Sequence, residues 1–404
     1  MAVDEKQEES VERIEADWQE EGAPQRSSTL LRLLQSHSAR AVLDAPSDDF
    51  GLAEHLPFPF FALVGQPEMR TALLLSVINP NVGGVLLIGP RGTGKTTAVR
   101  SLSDLLPDVP RSLCQYGCMP EDVETEGVEA ICDECAAKLE QGEPIAALDR
   151  VRLIELPLNA ELEDVVGGIN ERIAIQQNRV RLDRGILAQA DRNILYVDEV
   201  NLLGDTIVDA ILDAAAQGSF TVRRGPHIAT YRARFVLIGS MNPEEGRLRP
   251  QIMDRFGLRV LVRGLDNRED RLEVYNRVRD YRHNPRGFIR AFAEETFDAR
   301  EDIISARELL PEVKLNEQAV TVGLDLIKEL GIDSHRAEFS MFEAARAHAA
   351  ADGRVEATDD DLRTVAPLAL RQRRSQFMDS FFLAQADEDE QIISLMDELS
   401  EKGG

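Results

Sequence analysis

Short apolar runs alternate with helically spaced apolar positions over the first two-thirds of this 404-residue chain, and only the helical spacing continues beyond. The runs at 85–88, 151–156, 193–197, 235–241 and 258–262 are largely apolar, the pattern of strands covered on both faces. Between them, helical spacing at 69–78, about 95–106 and 205–217 supplies crossover helices, so the pattern predicts a parallel α/β sheet. Residues 219–235 alternate around Gly225-Pro226 and read as a β-hairpin inserted before the 235–241 strand. A polar turn at 157–160 and a short helix at 161–168 precede a further segment at 172–180, loosened from it by Gly167-Gly168. From Asn267 onward, periodic stretches at 272–278, 288–297, 301–310, 316–330, 335–351 and 358–370 predict a second, α-only domain.

Four regions follow. Residues 1–55 form an acidic, mostly disordered arm with one helix-compatible patch at Leu30 to Leu34, plainly read as a solubilising tail. Residues 56–265 form the α/β core, with a cysteine-rich insert at 112–137, and 266–372 form the helical lid domain. Residues 373–404 form a charged tail helix, in which the basic Arg371 to Arg374 segment gives way to the acidic Asp387 to Glu390. The formal charge of −26, from 72 acidic and 46 basic side chains, argues against a chain-wide affinity for nucleic acid or anionic membrane. No run approaches the roughly 20 apolar residues needed to span a bilayer. The acidic start is unlike a secretory or transit peptide, so a cytoplasmic location is expected.

The strand at 85–88 runs into Gly89-Pro90-Arg91-Gly92-Thr93-Gly94-Lys95-Thr96-Thr97 and then a helix. This is the context in which G-x-x-x-x-G-K-[ST] holds a triphosphate: the loop turns its amides inward, Lys95 reaches the outer phosphates and Thr96 offers its hydroxyl to Mg²⁺. The helix start adds its dipole. About a hundred residues on, the strand at 193–197 delivers Asp198 and Glu199 at its C-terminal end, the first suited to the Mg²⁺ shell and the second to orienting or deprotonating a water. The 235–241 strand ends at Asn242, an amide placed to hydrogen-bond the water or the terminal phosphate. Arg255 suits charge stabilisation across a subunit boundary, or else a surface ion pair with Asp254. Arg336, at a helix start, is placed to reach nucleotide between the domains. Arg223, Arg224, Arg232 and Arg234 on the hairpin either touch a partner or are solvated, and His227 reads as a turn residue.

Cys114 and Cys118, then Cys132 and Cys135 after thirteen intervening residues, fit a tetrahedral four-cysteine zinc site, because each close pair grips from one turn. A redox pair, or four unconnected thiols, is the alternative.

The set Val64-Gly65-Gln66, the 89–96 loop, Val166-Gly-Gly-Ile, Leu182-Asp-Arg-Gly-Ile-Leu-Ala-Gln-Ala, Val197-Asp-Glu-Val-Asn-Leu-Leu, Gly239-Ser-Met-Asn-Pro-Glu-Glu-Gly and Arg249-Pro-Gln-Ile-Met-Asp-Arg-Phe-Gly closely resembles the ATPase subunit I family of magnesium chelatase, over about residues 57–372. That resemblance implies an AAA+ core with a parallel sheet, hairpin insertions and a C-terminal helical lid. It further implies ATP and Mg²⁺ as cofactors and a ring of identical subunits, expected to be a hexamer. The partners implied are a D-type subunit with AAA+ and von Willebrand-type modules and a large porphyrin-binding H-type subunit, with Mg²⁺ insertion into protoporphyrin IX, the first committed step of chlorophyll and bacteriochlorophyll synthesis, as the coupled reaction. By the same resemblance Asp198 and Glu199 form Walker B, Asn242 is sensor 1, Arg255 is the trans arginine finger and Arg336 is sensor 2, while the 158–181 and 219–235 insertions serve assembly. The cysteine insert and the acidic arm depart from the family pattern. A MoxR- or cobaltochelatase-like chaperone that remodels or metallates another protein is the alternative function, and a nucleic-acid translocase is a third that the acidic balance weakens.

Overall fold

The computed structural model describes residues 56–114, 116–168, 184–224 and 227–374. The acidic arm, the 172–180 segment, the Gly225-Pro226 tip and the tail beyond 374 lie outside them. In chain order, α1 (Pro67–Ile78) leads to β1 (Val85–Ile88), the glycine loop and α2 (Lys95–Leu102). An excursion follows, with β2 (Val109–Ser112), α3 (Pro120–Glu126), α4 (Asp133–Glu140) and β3 (Ala146–Asp149). The core resumes with β4 (Leu153–Leu156), α5 (Leu162–Val166), α6 (Ile186–Gln189), β5 (Ile194–Val197) and α7 (Asp205–Gln217). The hairpin strands β6 (Ser219–Arg224) and β7 (His227–Arg232) precede β8 (Val236–Met241), α8 (Pro250–Arg255) and β9 (Leu258–Leu261).

Strand order is β4-β5-β8-β1-β9, and every neighbouring pair is parallel. β1, β5 and β8 are buried at every position, as their largely apolar runs require, with Ser240 of β8 buried among them. Because β1 pairs with β8 and β8 with β5, the loops leaving all three emerge side by side at the C-terminal edge, where open α/β sheets bind ligands. The register is decisive: Ile88 lies opposite Met241, and Val197 opposite Gly239. Asp198 therefore comes level with Ser240, and Gly89 with Asn242, Gly89 N–H donating to the Met241 carbonyl at 3.0 Å.

The lid comprises α9 (Arg268–His283), α10 (Pro285–Ala291), α11 (Ala293–Leu309), α12 (Glu317–Glu329), α13 (Arg336–Ala351) and α14 (Asp359–Leu370). Asn267 and Asn316 cap the starts of α9 and α12 by accepting from Glu269 N–H and Ala319 N–H. Leu73, Val77 and Ile78 of α1 share one buried apolar cluster with Ile303 of α11, Met341 and Ala344 of α13 and Val365 of α14. The alanines of α13 allow this close approach, Ala344, Ala345, Ala347 and Ala349 being fully buried. Arg307 closes the junction by donating from Nε and Nη2 to the Val77 carbonyl at 3.0 and 2.8 Å.

Three expectations change. The lid is not purely helical: β10 (Lys314–Leu315) and β11 (Glu356–Ala357) pair in parallel, tying the start of α12 to that of α14. The basic 371–374 segment does not begin an exposed tail. Arg373 has a fully buried side chain that donates to Asp254 Oδ1 at 2.6 Å and to the Phe256 and Gly257 carbonyls, and Arg371 pairs with Glu68. Asp254 is accordingly taken by Arg373, Ser334 and, at 3.5 Å, Arg336, so Arg255 does not pair with it and reaches Asp213 and Asp209 of α7 instead, at 2.7 and 3.3 Å.

Candidate functional site

Gly89 is required by a close approach: a Cβ there would sit 2.0 Å from the Val262 carbonyl oxygen where the chain leaves β9. Gly92 and Gly94 are required by conformation, with φ of +79° and +85°, and nothing lies within 4 Å of the direction a side chain would take. The loop is thus an open cradle bordering a cavity of about 250 Å³. That cavity is lined by Arg91 to Thr97, Asp198, Glu199, Ser240, Met241 and Asn242, so the residues from three separate strands do converge.

Lys95 is buried at 9% exposure and its Nζ donates to the Gly89 and Pro90 carbonyls at 2.7 and 2.8 Å. Burial lowers its pKa from the ordinary lysine value, while Asp198, Glu199 and Glu245 pull the other way. Thr96 Oγ1 lies 3.1 Å from the Tyr196 hydroxyl, which donates to Asp198 Oδ1 at 2.8 Å; burial pushes the Tyr196 phenol well up, so it stays a donor. Ser240 Oγ also donates to Asp198 Oδ1 and accepts the Glu199 N–H at 3.2 Å. Glu199 has a left-handed backbone (φ 49°, ψ 50°), unusual for a non-glycine residue, and this turn swings its carboxylate toward the loop. There Arg91 holds Glu199 Oε1 from Nη2 at 2.9 Å and pairs with Glu245 at 2.7 Å. Asn242 is 4% exposed, and its Oδ1 accepts the Glu244 N–H at 3.3 Å.

Beside the cradle lies a second, more apolar cavity of about 520 Å³, bounded by Gly92 to Gly94 and by Phe58, Leu63, Val64, Met69, Val274 and Val278. It bridges core and lid, and its chemistry suits a flat heteroaromatic base. Arg255 and Arg336 line neither cavity. Tyr196, Ser240 and Glu245 went unread in the sequence because a tyrosine inside an apolar strand and a serine before a methionine look like packing. The one available clue, for Tyr196 and Ser240, was their place at strand ends opposite the glycine loop.

Away from this edge, the four cysteine sulfurs lie within 4.8 Å of one another. A tetrahedral zinc with bonds of about 2.3 Å needs sulfurs about 3.8 Å apart, so small adjustments suffice. Cys114 Sγ accepts from Ser112 Oγ and from Cys118 N–H, each at 3.4 Å, and Cys118 Sγ accepts from Cys132 N–H at 3.3 Å. Burial works against ionising Cys114, yet the Ser112 and Cys118 hydrogen bonds outweigh it and bring its pKa to about 6. Burial pushes Cys118 to about 11 and raises Cys135 further. Of the hairpin arginines, Arg232 is not simply solvated: it pairs with Asp122 and, at 3.9 Å, with Glu121, both in the cysteine-bearing excursion. No helix among the described residues is long and apolar enough to cross a membrane.

Comparison with known proteins adds an independent finding. Residues 172–248 match the family model described as magnesium chelatase, subunit ChlI, and residues 325–394 match that of the AAA lid domain. The magnesium-chelatase subunit ChlI homolog of Methanocaldococcus jannaschii is 44% identical over 323 residues, covering 79% of this chain and 87% of its own length. The magnesium-chelatase 38 kDa subunit of Acidiphilium rubrum is 42% identical (78% and 90% covered), and the magnesium-chelatase subunit ChlI of Synechocystis is 39% identical (82% and 91% covered). Among solved structures, the magnesium chelatase BchI and BchD complex matches at 36% identity with a TM-score of 0.45, over 81% of this chain and 99% of its own. The crystal structure of an ATPase candidate from Cytophaga hutchinsonii matches at 20% identity with a TM-score of 0.50 (77% and 83% covered), a likeness of fold.

Proposed function

This chain belongs to the magnesium chelatase subunit I family of AAA+ ATPases, and from that premise we propose that it is the ATP-hydrolysing motor of a complex that inserts Mg²⁺ into protoporphyrin IX. The observation that carries the reading is the convergence of Lys95, Thr96, Asp198, Glu199 and Asn242 on one cavity beside an open glycine cradle. The cradle fits ATP: the loop amides and Lys95 would hold the phosphates, and Thr96 and Asp198, already linked through Tyr196, would hold Mg²⁺. Bound there, the metal supplies charge neutralisation to the phosphates. Ser240 and Tyr196 keep the Asp198 carboxylate oriented, and Ser240 fixes the Glu199 backbone. With Arg91 on its Oε1, Glu199 takes the proton of the attacking water at Oε2, and Asn242 orients that water. The apolar cavity receives the base.

Arg255 acts in trans, a role supported by its position outside its own chain's cavity, where Asp209 and Asp213 hold it ready. Arg255→Ala is therefore expected to assemble normally and to lose hydrolysis by about 10³-fold, the lower range for an arginine finger. Sedimentation with ATP followed by phosphate release checks both halves, and intact turnover would reject the role. Arg336 acts as sensor 2, its guanidinium held 3.5 Å from Asp254 Oδ2. The complex works in the cytoplasm as a ring of six identical subunits, with a D-type subunit and a porphyrin-binding H-type subunit.

The cysteine cluster binds structural Zn²⁺: four sulfurs stand near tetrahedral spacing and carry N–H and O–H donors to two of them. Purified protein is expected to contain about one equivalent of zinc, and less than about half an equivalent by elemental analysis would reject the site. The function itself is tested by following Mg-protoporphyrin fluorescence with ATP and purified D- and H-type subunits. Product that forms only when this chain is present is expected. ATP hydrolysis without insertion would overturn the chelatase reading and move the function to a chaperone of another metal system.

A further inference from the structure

The excursion that carries the cysteines has almost no core of its own. Its buried cluster consists of Cys114, Cys118, Ile131, Cys135 and Ile145, so three of its five members are candidate ligands. Its helices are only seven and eight residues long, too short to hold themselves in water. Yet the same excursion makes strong polar contacts with the ATPase core. α3 starts two residues after Cys118, and its first turn presents Glu121 and Asp122. Arg192, at the approach to β5, donates from Nη2 to both Glu121 oxygens at 2.7 and 2.8 Å, with its own backbone left-handed at φ 62° and its N–H on the Arg234 carbonyl at 2.6 Å. Arg232, the last residue of β7, donates to Asp122 Oδ1, while Asp122 Oδ2 accepts the Met119 N–H and caps α3. On the other side, Arg184 packs so tightly on Gly117 that a Cβ there would lie 2.6 to 2.7 Å from its guanidinium.

We infer that metal occupancy of the four-cysteine cluster sets the position of the β6–β7 hairpin. The metal fixes Cys114 and Cys118 and hence the start of α3; Asp122 and Glu121 pass that position to Arg232 and Arg192. These two arginines lie where the chain enters β8 and β5, the strands that end at Asn242 and Asp198. Without the metal, a segment with so small a core has only the β2–β3 pairing and partly exposed ion pairs to keep its acids on the hairpin. Asp122 and Glu121 are positioning residues, and the inference rests on the reading of the cysteines as a metal site.

Hydrogen exchange of the full-length protein, followed by mass spectrometry alongside zinc analysis, tests it. Stripping the metal with a chelator is expected to speed amide exchange in 219–224 and 227–234 by about tenfold or more, while the phosphate-loop helix 95–102 exchanges as before. Arg232→Gln is expected to loosen the same strands with the zinc still bound, and Arg232→Lys to restore much of the protection. Zinc bound at about one equivalent, with hairpin exchange indifferent both to the chelator and to Arg232→Gln, would overturn the inference and leave the metal site standing. Absence of zinc would remove the metal site and the inference together, with the ATPase reading untouched.

Discussion

Lys95→Ala is expected to abolish ATP hydrolysis and to weaken nucleotide binding by about 100-fold or more, as loss of a charge-assisted contact worth about 3 kcal/mol predicts. The lysine is already desolvated and aimed along the loop, so little of its interaction with phosphate is lost to ordering. The substitution has a second consequence that must be kept apart from the first. Lys95 Nζ is the donor to the Gly89 and Pro90 carbonyls, and alanine removes that donor from both. The Gly89 contact is buried, so the lost donor costs stability of about 1–3 kcal/mol in addition to the lost phosphate contact. Titration with a fluorescent ATP analogue, together with a thermal melt, separates the two effects. Unchanged nucleotide affinity in a folded variant would dismiss the phosphate-loop assignment.

Glu199→Gln should behave in the opposite way, binding ATP while hydrolysing it about 10²- to 10⁴-fold more slowly, the range that general-base removal spans. Glutamine keeps the shape and one acceptor oxygen but cannot take a proton. It also tolerates the left-handed backbone no worse than glutamate does, so the turn after β5 is preserved. Arg91 loses one carboxylate and retains Glu245 at 2.7 Å, which keeps it near the cradle. Single-turnover phosphate release measured beside nucleotide binding isolates the chemical step. Wild-type turnover in this variant would transfer the base role elsewhere, and a parallel loss of binding would mean that Glu199 holds nucleotide and does no proton transfer.

Much of this site was legible in the chain because its parts are local. The phosphate loop is a contiguous run in which glycine spacing, lysine and threonine each answer one demand of a triphosphate, and the strand before it is recognisable from four consecutive apolar residues. Asp198, Glu199 and Asn242 are likewise announced by the apolar strands they terminate. The strands at 85–88, 193–197 and 258–262 are where the largely apolar runs put them, since burial on both faces leaves a pattern that no amphipathic helix shares. Proximity of the two cysteine pairs was one of the readings their spacing allowed, beside four unconnected thiols, and the sulfurs come within 4.8 Å.

What spacing could not supply is whatever depends on which strands are neighbours. The order β4-β5-β8-β1-β9 puts β8 between β5 and β1, and only that order makes Ser240 and Tyr196 props for Asp198. Charged residues were the least legible of all. Arg255 and Asp254 are adjacent in sequence yet point to different partners, since one faces α7 and the other receives Arg373 from more than a hundred residues away. Arg373 reads as the beginning of a solvated tail and is buried, because the Asp254 carboxylate and four backbone carbonyls satisfy its guanidinium there. Arg232 of the hairpin gave no hint of Glu121 and Asp122, which lie in the cysteine excursion. The sequence by itself determined the strands, the phosphate loop and the acids and amide at the strand ends, because backbone conformation and burial act over a few neighbouring residues. The pairing of long flexible charges was decided only by the tertiary structure, since an ion pair forms with whichever opposite charge the fold brings within about 4 Å.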